Sequence, residues 1–117
     1  MHFSQLTLGA LSLFAATNAY VVRLFPDAHC AGPLVEERNV WDNTCAYIKG
    51  PFQSYSLKTG GGSFQLITAY EPQNCAGKEL YHGCSQGANQ VPKNVCIGIG
   101  GTAHALSSYS RAGQCPN

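Results

Sequence analysis

The residues best suited to chemistry are six cysteines, an even number in a chain of 117 residues. Their spacing contains no C-x-x-C pair, the usual arrangement for a structural zinc site. An even number of cysteines in a short exported chain indicates a disulfide framework. The sequence leaves the pairing open among all the connectivities that six cysteines allow. We predict disulfide bonds among Cys30, Cys45, Cys75, Cys84, Cys96 and Cys115.

Histidines are the other candidates for chemistry, because an imidazole can act as a general base near neutral pH. His29, His82 and His104 have no G-x-S-x-G partner in the sequence, and every cysteine is predicted to be bridged. Glu36 and Glu37 are adjacent, so in a strand they point to opposite faces and cannot form a carboxylate pair. We therefore predict a protein that is not an enzyme, with no catalytic residue, no cofactor and no metal site.

The elements that position these residues are repeated along the chain. Each copy contains two apolar residues, an aromatic residue, a cysteine and a glycine, then Asn-x-Cys, then Ser-Tyr-Ser. The matched segments are 21–32 with 66–77, 43–50 with 94–101, and 54–56 with 108–110. Such self-similarity is typical of a fold built from two copies of one structural unit.

The segments between the glycines and prolines are short and rich in β-branched and aromatic residues, a pattern that favours strands. Examples are residues 21–25, 54–57, 64–70 and 106–109. The glycine-rich segment 59–63 predicts a flexible turn between the two copies. Several short strands at this spacing predict an all-β sandwich.

The chain begins with an apolar segment, Leu6 to Ala16, followed by the small-residue sequence Thr17-Asn18-Ala19. Such a segment is too short to cross a bilayer as a helix, and it is typical of a secretory signal peptide. We predict a signal peptide at 1–19 and a single domain at 20–117, with motif one at 20–61 and motif two at 62–117. The expected location is secreted and extracellular.

The charge is close to balanced. The chain contains seven Lys and Arg residues and six Asp and Glu residues, which gives a formal net charge of +1, and it has no runs of either sign. Nucleic acids and strongly anionic membranes reward clustered basic residues. We therefore expect no nucleic-acid partner, and we expect a monomer.

The repeat resembles the folded-hairpin signature of βγ-crystallin Greek-key motifs, in which an aromatic residue, a second aromatic and a glycine are followed by a serine. Here the first aromatic is Phe25 or Tyr70, the glycine is Gly32 or Gly77, and the serine is Ser54 or Ser108. Cysteine replaces the second aromatic in both copies. The resemblance implies two Greek-key motifs forming one disulfide-stapled βγ-crystallin-like sandwich.

This resemblance also suggests which residues serve the fold. The glycine is expected to take a positive φ where the hairpin folds over. Alternate residues of the first strand in each copy are expected in the core. Those predicted core residues are Val22, Leu24, Ile67 and Ala69, together with Ile48, Ile99, Tyr55 and Tyr109.

Calcium-binding members of the family share a stretch of two Asn or Asp residues followed by an apolar residue and Ser or Thr. The matching stretches here are 49–54 and 103–108, and neither has an acidic or amide residue at the ligand positions. Ca²⁺ requires several hard oxygen ligands. Calcium binding is therefore the least favoured of the functions that the resemblance implies.

The size, the signal peptide and the cysteines are similar to those of apoplastic effectors of plant-pathogenic fungi with this fold. The resemblance implies a non-enzymatic extracellular protein that acts on a host or a competing organism by binding an unknown target: a host protein, a cell-wall glycan or a membrane. An antimicrobial or killer-toxin-like protein is the alternative, and a structural or calcium-binding crystallin-type protein is the further alternative.

Overall fold

The computed structural model describes residues 18–111 and 113–116. Within them the chain forms six antiparallel strands and no helix. The strands are β1 (Ala19–Phe25), β2 (Glu36–Trp41), β3 (Thr44–Thr59), β4 (Gln65–Tyr70), β5 (Glu79–Cys84) and β6 (Cys96–Ser110). The all-β expectation is thus confirmed. The signal-peptide segment lies outside the described residues except for Asn18 and Ala19.

The strands lie in one sheet in the order β2-β1-β3-β6-β4-β5. This order is symmetric about its centre, because β2-β1-β3 of the first half corresponds to β5-β4-β6 of the second half. Each half is a three-stranded unit, and the two longest strands pair with each other in the middle. The repeat in the sequence is therefore also a repeat in strand order.

The two long strands, β3 and β6, pair with each other in two separate regions. Residues 44–47 of β3 pair with residues 105–108 of β6, whereas residues 54–56 of β3 pair with residues 96–98 of β6. The register shifts between these two paired regions. β1 pairs only with the second part of β3, and β4 pairs only with the second part of β6. Each long strand thus pairs with the other long strand in both regions, and with a strand of its own half only in its second part.

The core lies along the strands and contains the predicted alternating residues. Val22 and Leu24 of β1 and Ile67 and Ala69 of β4 are fully buried, and so is Tyr55. Ile48 and Ile99 are also buried, at corresponding places in β3 and β6. Burial of side chains of this size stabilises the fold by about 1.5–3 kcal/mol each.

Tyr109 does not join this core and is 39 % exposed. Phe25 pairs with Ser54, and Tyr70, its counterpart, pairs with Ala105. The structural counterpart of Ser54-Tyr55-Ser56 is therefore Ala105-Leu106-Ser107. Leu106 is fully buried where the sequence repeat predicted Tyr109. The prediction for Tyr109 was wrong because the second Ser-Tyr-Ser, residues 108–110, lies three residues beyond the structural counterpart of the first.

Tyrosine hydroxyls connect the two halves inside the protein. Tyr20 donates to the carbonyl oxygen of Ser107 at 2.7 Å, and the hydroxyls of Tyr55 and Tyr81 lie 2.8 Å apart. Within the second half, the Tyr70 hydroxyl lies 2.9 Å from the Ser107 Oγ. Burial raises the pKa of Tyr20 and of Tyr55, so both remain neutral. Buried hydroxyls that are hydrogen-bonded in this way fix one arrangement of the core.

Candidate functional site

Three disulfides join all six cysteines. Cys30 bonds Cys96 and Cys45 bonds Cys75, with Cα–Cα distances of 5.9 Å in both. The sequence repeat makes Cys30 the counterpart of Cys75 and Cys45 the counterpart of Cys96. These two bridges are therefore reciprocal. Each joins the cysteine after the first strand of one half to the start of the long strand of the other half.

The third disulfide has no counterpart in the first half. Cys84 at the end of β5 bonds Cys115, with their Cα atoms 5.5 Å apart. Both cysteines are buried and form a small cluster with Leu66. This bridge holds the C-terminal segment against the edge of the second half.

The first hairpin, residues 26–35 between β1 and β2, is organised by Asp27. Its carboxylate accepts hydrogen bonds from the backbone N–H groups of His29, Ala31 and Gly32, the last at 2.8 Å. Hydrogen bonds from the Gly32 and Ala31 amides lower the pKa of Asp27. His29 is an exposed residue of this turn. The carboxylate therefore fixes the backbone of the hairpin.

Ser54 ties the same hairpin to β3. Its hydroxyl donates to the carbonyl oxygen of Asp27 at 2.6 Å and accepts from the backbone N–H of Cys30 at 3.1 Å. Cys30 has a φ of 56°, a left-handed conformation that is uncommon outside glycine, asparagine and aspartate. The Ser54 hydroxyl thus stabilises the strained backbone conformation of Cys30, which also forms a disulfide. Phe25, which begins the hairpin, is half-buried.

The second hairpin, residues 71–78, has a different set of contacts. Ala105 occupies the place of Ser54 and has no hydroxyl. His104 of β6 contacts the hairpin instead, through Nδ1 at 2.6 Å from the carbonyl oxygen of Glu71. Ser108 lies further along β6, where its hydroxyl donates to the Gln65 Oε1 at 2.6 Å. Tyr70, at the start of this hairpin, is only 4 % exposed.

The two hairpin glycines act through their size and not through a positive φ. The positive-φ glycines among the described residues are Gly87, Gly100 and Gly113, so the expectation for Gly32 and Gly77 was wrong. A Cβ atom at Gly32 would lie 3.0 Å from the Pro26 Cγ, and one at Gly77 would overlap the Pro72 ring. A proline ring packs where the side chain would be, which explains why glycine is needed.

The Asn-x-Cys repeat marks a pair of left-handed turns. Asn43 and Asn94 have φ values of 62° and 60°, and each lies two residues before a cysteine of the reciprocal bridges. Asparagine tolerates this conformation better than most residues. The Asn43 backbone N–H and Oδ1 both bond the Gln65 side chain. These asparagines therefore direct Cys45 and Cys96 into the following strands.

The three candidate histidines, His29, His82 and His104, lie at separate places. His29 is in the first hairpin, and His104 contacts the second. His82 of β5 has its Nδ1 atom 3.9 Å from Glu79, which also accepts from Arg111 at 2.5 Å. Within 18–111 and 113–116, no group of three or more His, Cys, Asp or Glu side chains could hold a metal ion.

A shallow groove of about 360 Å³ lies between β3 and the second hairpin, and we call it the Tyr47 groove. It is lined by Tyr47, Ile48, Lys49 and Gln73. Among the large apolar residues that the structure describes, Tyr47 is the most exposed, at 64 %. The groove is open to solvent, and Gln73 belongs to the second hairpin whereas the other three residues belong to β3.

Sequence reasoning did not single out Tyr47 or Gln73 and considered Lys49 only as part of a lost calcium stretch. The available signal was a difference between the two copies, because Gly98 and Gly100 replace Tyr47 and Lys49 in the second copy. Trp41, at the end of β2, is 49 % exposed and is therefore not a core residue.

Comparisons with protein-family models, with curated proteins and with solved structures found no match. The architecture itself defines a small all-β, cysteine-rich protein with three disulfides, a feature typical of extracellular proteins. Within the described part of the chain, no helix has the length and apolar character needed to cross a membrane.

Proposed function

We propose that the chain is a secreted, non-enzymatic βγ-crystallin-like protein that acts outside the cell on a host or a competing organism by binding a target there. It consists of a signal peptide at 1–19 and two Greek-key motifs, 20–61 and 62–117, that form one domain. The observation that carries this proposal is the reciprocal pair of disulfides, which lock the hairpin of each motif onto the other motif.

The strand pairing supports the two-motif architecture. The first residues of β3 pair with the second half of the molecule, and the first residues of β6 pair with the first half. This exchange is what a domain of two interlocked Greek keys requires. The register corrects the placement of the serine, since only Ser54 contacts a hairpin in the expected way.

The cysteines support an extracellular location. All of them are paired, and disulfides persist in oxidising compartments but are rare in the cytosol. Ala19 begins β1, so cleavage after that residue would leave Tyr20, a fully buried residue of the first strand, at the start of the mature protein. The proposed processing therefore removes one strand residue and leaves the core residues in place.

A role in binding is supported by the contacts of two titratable side chains. The Asp27 carboxylate is saturated by backbone amides, and the His104 ring contacts a carbonyl oxygen. No pair of these groups is arranged as a nucleophile and its base. Functional contacts are therefore proposed to come from the surface loops and grooves.

The distribution of charge favours recognition of a specific target over disruption of membranes. Glu37 bonds both Arg23 and Lys58, and Glu36 bonds Arg38. These pairs neutralise most of the cations on the first half. Membrane-active proteins need clusters of unpaired cations, which this surface lacks within the described residues.

The test is to infiltrate plant leaves with the purified mature protein and, in parallel, to add it to fungal and bacterial cultures. A leaf response with no effect on growth is the expected result. The same protein reduced and alkylated at its six cysteines is the control, and it should give no response because the fold depends on the bridges. Growth inhibition at similar concentration would favour the toxin alternative. No effect in either assay would contradict action on another organism.

A further inference from the structure

We propose that the Tyr47 groove binds an acidic polysaccharide, by taking one uronic acid unit of the chain. The Tyr47 ring provides the stacking surface, Lys49 pairs with the sugar carboxylate, and Gln73 hydrogen-bonds a sugar hydroxyl. This assignment names the target class of the proposed extracellular protein and therefore rests on the proposed function.

The two halves of the molecule provide an internal comparison. Ser54 faces Gly98 across the sheet, and its counterpart Ala105 faces Tyr47, so Gly98 is the counterpart of Tyr47. By the same register Gly100 corresponds to Lys49. Ala28, two residues before Cys30, corresponds to Gln73, two residues before Cys75. The corresponding residues are therefore all small, and Gly100 also has a φ of 80°, in the left-handed region, whereas Lys49 is not among the positive-φ residues.

The corresponding place at the first hairpin leaves little room beside Gly98, whereas a Cβ atom at Gly100 would meet no atom of the described residues within 4 Å. A Cβ atom at Gly98 would lie only 3.3 Å from the carbonyl oxygen of Ala28, so the first hairpin packs directly on the strand there. The equivalent space between β3 and the second hairpin holds the Tyr47 groove. The buried residue Ile48 recurs as Ile99, but the exposed groove residues Tyr47, Lys49 and Gln73 do not recur. The groove side chains are thus additions that the fold does not need.

The chemistry of these additions fits an acidic sugar. The face of an aromatic ring is electron-rich, so it packs well against the C–H groups on the apolar face of a pyranose ring. Within 18–111 and 113–116, the Lys49 ammonium has no carboxylate within salt-bridge distance. The nearby Glu36 is already bonded by Arg38 at 3.0 Å. Glu36 also accepts a hydrogen bond from the Lys49 backbone N–H at 3.4 Å, and the Lys49 ammonium remains available to pair with a ligand carboxylate.

The shape of the groove favours one unit within a longer chain. Its volume of about 360 Å³ lies at the lower end of the range of ligand clefts, roughly 300–1,000 Å³. The groove is open to solvent, so a polymer can continue on both sides of the bound unit. A buried pocket would instead select a free small molecule.

The Cys45–Cys75 disulfide holds the two walls of the groove in place. Cys45 lies two residues before Tyr47 on β3, and Cys75 lies two residues after Gln73 in the second hairpin. The Tyr47 carbonyl oxygen also accepts a hydrogen bond from Arg38 at 3.1 Å. Because both walls are fixed before binding, little conformational entropy is lost when the ligand enters.

The test is calorimetric titration of the mature protein with an oligomer of α-linked galacturonic acid and with the same oligomer after methyl esterification. The acid form should bind about fivefold more tightly than the ester, as expected for one exposed ion pair. The Lys49→Gln variant should remove this difference by weakening only the acid form. The Tyr47→Ala variant should weaken both oligomers about tenfold through the lost stacking surface.

Lys93→Gln and Trp41→Ala are the matched controls, because each removes an exposed cation or ring elsewhere on the surface. Neither should change the affinity for either oligomer. Equal affinity for acid and ester, equal losses in Lys49→Gln and Lys93→Gln, or no binding at all would overturn the groove assignment. A protein that binds neither oligomer yet still causes a leaf response would leave the proposed function standing. A protein that binds the acid form yet affects no organism would contradict the proposed function alone.

Discussion

Cys45 and Cys75 join the start of β3 to the second hairpin, and Cys30 and Cys96 join the first hairpin to the start of β6 in the same way. This reciprocity means that neither half can release its hairpin without breaking a bond to the other half. The fold, the Tyr47 groove and the proposed extracellular stability all depend on this arrangement.

Removing the Cys45–Cys75 bridge should affect both stability and binding. The Cys45→Ala/Cys75→Ala variant should lose about 3–4 kcal/mol of unfolding free energy, because the bridge closes a loop with a sequence separation of 30. It should also lose affinity for the acidic oligomer, since the walls of the groove are no longer fixed. Chemical denaturation and titration measure the two effects.

The Cys84–Cys115 bridge provides a matched control, with a sequence separation of 31. The Cys84→Ala/Cys115→Ala variant should lose a similar unfolding free energy but keep its affinity for the oligomer. Equal losses of affinity in the two variants would mean that global stability, and not the local position of the groove walls, controls binding.

Replacement of Ser54 should loosen the first hairpin. Ser54→Ala removes the hydroxyl that bonds both the Asp27 carbonyl and the Cys30 amide, so we expect a loss of about 1–3 kcal/mol. Hydrogen exchange should show faster exchange at the Cys30 amide. Ser56→Ala, a half-buried hydroxyl of the same strand, is the control and should change the stability by less. Equal effects would contradict the role of Ser54.

The two hairpin glycines should differ in their tolerance of a methyl group. Gly77→Ala forces a Cβ atom into the Pro72 ring, so it should cost about 1–3 kcal/mol. Gly32→Ala meets Pro26 at 3.0 Å, a contact that a small shift of the ring relieves, so its cost should be smaller. Thermal unfolding of the two variants measures which substitution costs more stability. The reverse order would contradict this account of why the glycines are present.

Acidification should weaken the first hairpin through Asp27. Amide hydrogen bonds lower the pKa of this carboxyl in the folded state below its ordinary 3.8. The unfolded chain therefore binds a proton first as the pH falls, and the stabilisation present above the ordinary pKa is lost as the pH drops through the folded value. Glu37, whose pKa the Lys58 hydrogen bond lowers, contributes in the same direction.

Asp27→Asn is the variant that isolates this effect. Its unfolding free energy should depend less steeply on pH in the acidic range than that of the parent protein, measured by denaturation at successive pH values. The same pH slope in both proteins would show that the Asp27 carboxylate is not the group responsible.

The sequence predicted the strands, the buried alternation of β1 and β4, and the participation of all six cysteines, because these depend on local pattern and composition. It misplaced Tyr109, since identical letters in two copies do not guarantee identical register when the insertions between them differ. It could not predict the disulfide pairing or the Tyr47 groove. Both depend on the approach of a hairpin from one half to a strand of the other, which only the folded chain brings about.

The most direct test of the account is mass spectrometry of the secreted protein, digested without reduction. We expect a mature N-terminus at Tyr20 and three linked peptide pairs, Cys30 with Cys96, Cys45 with Cys75 and Cys84 with Cys115. Free thiols, or bridges that join Cys30 with Cys45 or Cys75 with Cys96, would contradict the reciprocal locking of the two motifs.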